Sequence, residues 1–60
     1  MDKQGHLDRV TEMQLKFNSY VVGNSREAER AYYDGMLAES ICQALDSGST
    51  VEEISIAITV

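Results

Sequence analysis

Apolar side chains recur along the first third of the chain at steps of three and four: Leu7, Val10, Met13, Phe17 and Tyr20. On a helix those positions share one face, so the spacing predicts a helix over about residues 7–22. Leu15 falls off this stripe, and the stretch F-N-S-Y-V-V has enough strand character to weaken the C-terminal end of the helix. Gly23-Asn24-Ser25 and then Asp46-Ser47-Gly48-Ser49 interrupt the pattern and divide the chain into three segments.

The second segment predicts a helix over about residues 25–46. Asn24 or Ser25 is placed to cap it, Glu27 and Glu29 suit the positive end of its dipole, and Gly48 can stop it in a left-handed conformation. Along it Ala28, Ala31, Gly35, Ala38, Cys42 and Leu45 form a seam of mostly small residues. Small residues let another helix approach closely, so this seam is expected to receive the large side chains of the first helix in an antiparallel hairpin. Glu39, at the edge of the seam, does not fit that picture. A second apolar stripe, Tyr33, Leu37, Ile41 and Ala44, lies roughly opposite and needs a partner of its own.

The last twelve residues, S-T-V-E-E-I-S-I-A-I-T-V, support two readings. Ile54, Ile56, Ile58 and Val60 alternate with small or polar residues as in a half-buried strand. Thr50 and Glu53 instead form a T-x-x-E capping box that opens a helix. The helix over about 51–58 is preferred, because a strand has no secure partner except its own copy across a dimer. As a helix, Val51, Ile54 and Ile58 cover the second stripe, while Ile56 and Val60 point elsewhere. The expected fold is all-α, an antiparallel helical hairpin plus a short C-terminal helix. Tyr33, Leu37, Ile41, Ala44, Ile56 and Val60 form its candidate surface for self-association or for a partner.

Size strengthens the case for association. A domain of 60 residues buries only about 60% of the surface of its unfolded chain. Domains this small are often reinforced by a disulfide, a metal or a second subunit. Cys42 is the single cysteine and His6 the single histidine, with no metal-binding spacing between them, so a homodimer is the expected reinforcement. Ten acidic against five basic residues give a net charge of −5, which disfavours nucleic acid and suits a protein partner with a basic patch. The longest apolar run is three residues and the N-terminus lacks an apolar signal core, so a soluble cytoplasmic protein is expected.

No residue stands out as catalytic, cofactor-binding or metal-ligating. Cys42 lies on an apolar helix face with no cation one turn away, which reads as a buried structural thiol. His6 reads as solvated, and the carboxylates as an acidic surface with local pairs such as Arg30–Asp34. Tyr32 and Tyr33 suit either an interface anchor or the core. Ala31-x-x-x-Gly35 reads as close helix packing in water. The stretch A-L-D-S-G followed by S-T-V-E-E-I resembles the turn between the first two helices of a helix-turn-helix unit. That resemblance implies a DNA-binding, transcription-regulating module, yet its last helix would carry Glu52 and Glu53 and no cation. The leading expectation is a non-enzymatic regulatory or adaptor protein acting through protein–protein contacts. Its size and acidity suit an accessory protein of a phage or mobile element.

Overall fold

The computed structural model describes residues 2–21 and 27–60. They form three helices, α1 (Lys3–Val21), α2 (Glu27–Asp46) and α3 (Val51–Ala57), and no strand. The strand alternative for the C-terminus is thereby corrected: residues 51–57 are helical, and the alternation of isoleucines there forms no ladder. The Asn24 or Ser25 cap of α2 and the Gly23-Asn24-Ser25 break lie outside the described residues.

Local chemistry sets the helix ends. α1 begins four residues before the apolar stripe because the Asp2 carboxylate accepts from the Gly5 backbone N–H at 2.7 Å. An acidic N-cap satisfies an orphan donor and faces the positive end of the dipole. α2 ends in a Schellman motif: Ser49 N–H donates to the Ala44 carbonyl at 3.0 Å and Gly48 N–H to that of Leu45 at 3.1 Å. Gly48 takes the left-handed conformation this requires, with φ 101°. α3 opens on the expected capping box, in which Glu53 N–H donates to Thr50 Oγ1 at 3.1 Å and Thr50 N–H to Glu53 Oε1 at 2.9 Å.

The tertiary contacts give the topology. Near the end of α1, Phe17 carries the Arg30 guanidinium over its ring at 5.9 Å, and Tyr20 stacks on Tyr33 with centroids 5.3 Å apart. The start of α2 thus lies against the end of α1, and the two helices run in opposite directions. α3 lies along α1 in the same direction, since Lys3 pairs with Glu53 at 3.0 Å and the Thr11 hydroxyl donates to the Ala57 carbonyl at 2.9 Å. The core between them comprises Leu7, Val10 and Met13 of α1, Leu37 and Ala44 of α2, and Ile54 of α3.

The face that α2 turns inward is the opposite of the one expected. Ala28, Ala31, Gly35, Ala38, Cys42 and Leu45 are all exposed, and nothing lies within 4 Å of a Cβ built on Gly35. The buried face is the second stripe, joined by Ser40, whose hydroxyl donates to the Leu37 carbonyl at 2.7 Å. A serine is tolerated in a helical core when its own preceding turn accepts its proton. Packing large α1 side chains against Leu37 and the aromatic ring of Tyr33 removes more apolar area from water than packing them against alanines. In α3, only Ile54 of the three expected core residues is buried; Val51 and Ile58 are exposed, and Ala57 packs against the core instead.

Candidate interaction surfaces

Among the described residues, two apolar surfaces remain uncovered. One is the outer face of α2 from Ala28 to Leu45, bordered by the exposed carboxylates Glu27, Asp34, Glu39 and Asp46. Glu39 ceases to be a misfit there: its carboxylate stands in solvent and accepts from Gln43 at 3.3 Å. Cys42 is exposed on this face, which corrects the expectation of a buried thiol.

The other surface lies between α1 and α3. Gln4, Leu7, Asp8, Thr11, Glu53, Ile56 and Ala57 line a cleft of about 250 Å³. Gln4, Asp8 and Thr11 recur at helical spacing on one flank of α1, and Leu15 continues the row one turn on. Across the cleft Ile56 is 69% exposed, and Val60 beyond it 55%. The Thr11–Ala57 hydrogen bond pins the end of α3 to α1, and the Lys3–Glu53 ion pair pins its start. Glu53 has its pKa held below the ordinary value, first by the Thr50 backbone N–H and then by the Lys3 ammonium.

The six residues chosen from sequence therefore divide. Leu37 and Ala44 lie in the core, Tyr33 and Ile41 are partly buried against it, and only Ile56 and Val60 stand free. Tyr33 is enclosed by Tyr20, by Tyr32 edge-on at 5.1 Å, and by the Lys16 ammonium at 5.9 Å, whereas Tyr32 itself is exposed. The flank of Gln4, Asp8 and Thr11 escapes a reading based on apolar periodicity, although its spacing with Leu15 was the available signal.

A second cleft, of about 290 Å³, lies among Phe17, Glu27, Arg30, Ala31 and Asp34. Arg30 sits over Phe17, and the Arg30–Asp34 pair expected from spacing is not formed among the described residues. His6 is half-buried, with Nδ1 lacking a hydrogen-bond partner, as does the buried Ser49 hydroxyl. Among the described residues no group of three or more His, Cys, Asp or Glu is placed to hold a metal ion, and no helix is long and apolar enough to cross a membrane. The chain matches no family model, and neither a curated protein nor a solved structure matches it.

Proposed function

We propose that the protein is a non-enzymatic regulatory or adaptor module that self-associates as a homodimer and binds another protein. The observation that carries this reading is the division of its exposed apolar side chains between two separate surfaces, around a core of six side chains. The outer face of α2 suits self-association, because Ala31, Gly35 and Ala38 allow a second helix axis to approach to about 8 Å. That leaves Ile56 and Val60, at the other surface, for a partner.

Size-exclusion chromatography with light scattering at micromolar concentration tests the dimer. The expected mass is twice the 6.7 kDa of one chain, falling to one chain in Ala38→Glu. A well-folded monomer whose melting is independent of concentration contradicts it. Affinity capture followed by mass spectrometry tests the partner, and recovery of the chain alone counts against that part.

A second reading, a DNA-binding regulator, draws on the α2–turn–α3 corner with Gly48 at its turn. The outward side of α3 offers Glu52 and no cation to phosphate, and the absence of any gel shift with duplex DNA at low salt disposes of this reading.

A further inference from the structure

We propose that the cleft between α1 and α3 seats an aliphatic side chain of a basic amphipathic helix from another protein, whose Lys and Arg residues pair with Asp8, Glu12 and Glu52. The proposal rests on the reading of this chain as a protein-binding module and deepens it by naming the surface and the chemistry of the partner.

Shape is the first consideration. The cleft of about 250 Å³ is smaller than a typical small-molecule site, and its apolar lining of Leu7, Ala57 and Ile56 suits one aliphatic group. Its two walls are helices running in the same direction, tied at both ends by Lys3–Glu53 and Thr11–Ala57. The row from Gln4 to Thr11 extends for about 10 Å at ~1.5 Å per residue, which is room for about two turns of a helix laid in the groove, with the exposed Leu15 beyond its end.

Charge decides the occupant. Of the four described cations, Lys3 is paired with Glu53, Lys16 lies over Tyr33 and Arg30 over Phe17, while Arg9 is half-buried and falls about 100° round α1 from Asp8. These contacts draw positive charge onto the fold itself. Asp8 lines the cleft and accepts only a neutral hydrogen bond, from Gln4 at 2.9 Å; the exposed Glu12 and Glu52 do not line it but stand one helical turn from the lining residues Asp8 and Ile56. Nucleic acid laid here sets phosphate against carboxylate, and the dimer proposed above through the outer face of α2 leaves this cleft free. A helix with a leucine-type anchor and flanking cations meets both the apolar lining and the acidic rim.

Fluorescence anisotropy with the full chain tests this at 150 mM salt. The probes are a labelled Leu/Lys amphipathic helical peptide of about fourteen residues and its Leu/Glu counterpart of identical pattern. The expected result is saturable binding of the Leu/Lys peptide and at least ~10-fold weaker binding of the Leu/Glu peptide. Ile56→Asp adds a negative charge yet is expected to weaken the Leu/Lys peptide about tenfold, since it destroys the apolar seat. The double variant Asp8→Lys, Glu12→Lys is expected to reverse the preference, while Glu27→Gln, which removes a single negative charge away from the cleft, shifts binding less than about twofold. Equal binding to wild type and Ile56→Asp overturns the proposal, as does failure of the Leu/Lys peptide to bind. A dimer dispersed by Ile56→Asp also overturns it, by giving the cleft to a second copy. Capture of a protein partner by the Ile56→Asp variant leaves the adaptor reading standing and rejects the cleft alone.

Discussion

On one side of α2, Tyr33, Leu37, Ser40, Ile41 and Ala44 pack toward α1 and α3; on the other, Ala28, Ala31, Gly35, Ala38, Cys42 and Leu45 stand in solvent. Both sides are apolar, and the covered one even includes a serine. What separates them is the size of the side chains and the company they keep. Glu39 and Asp46 border the small-residue face, so turning it into the core of the fold would strip carboxylates of water at a cost of several kcal/mol each, whereas a contact between two chains can leave them on its solvated rim. Ser40 on the opposite face satisfies its own hydroxyl within one turn. A seam of small residues marks a place where something can come close, and here it is left open while bulk fills the core.

The largest expected effects fall on the covered side. Leu37→Ala should destabilise the chain by about 2–5 kcal/mol, read as a lower urea midpoint, because it leaves a cavity in the core that Leu37 shares with Val10, Met13 and Ile54. Its neighbour Ala38→Ser should stay within about 0.5 kcal/mol of wild type, since it changes a solvated surface. Equal losses at the two positions would erase the distinction between the faces.

Smaller effects are expected where α3 covers the end of the core face. Thr50→Ala removes the acceptor of the Glu53 N–H and should cost about 1 kcal/mol. Gly48→Ala should cost about 1–2 kcal/mol through its positive φ, since there is open space for the added methyl. Smallest is Ser40→Ala, expected within about 0.5 kcal/mol of wild type: the lost hydrogen bond is local, and alanine is the better helix former. A loss above 2 kcal/mol there would show that the hydroxyl holds α2 to its neighbours.

The Glu53 carboxyl adds a pH signature confined to α3. Its folded pKa lies below the ordinary 4.5, so its contribution is present above that pH and is lost as pH falls through the lower folded value. Glu53→Gln keeps an acceptor for the Thr50 N–H but loses the Lys3 ion pair. The variant should therefore be less stable than wild type at pH 6, and the gap should narrow below pH 4.5. Parallel urea midpoints from pH 6 to 3 would contradict this.

What the sequence made legible follows the range of each interaction. The Thr50–Glu53 box, the Gly48 stop and the α1 stripe with Leu15 outside it depend on atoms within about one turn, and the letters state them directly. The early start of α1 was missed because Asp2 caps a first turn that faces water and carries no apolar period. The orientation of α2 was beyond periodicity, because two apolar stripes compete and the choice rests on what α1 and α3 bring to each. Glu39, the misfit on one stripe, was the clue to the right face. The α1–α3 cleft exists only once Thr11 meets Ala57, forty-six residues away.

Leu37 and Ala38 are adjacent in sequence, the first buried and the second exposed, so one comparison tests the account at its centre. Far-UV circular dichroism and light scattering are measured together on Leu37→Glu and Ala38→Glu. The account predicts that Leu37→Glu loses its helical signal and cooperative melting, while Ala38→Glu keeps both and is monomeric. An unfolded Ala38→Glu beside a folded Leu37→Glu would contradict it.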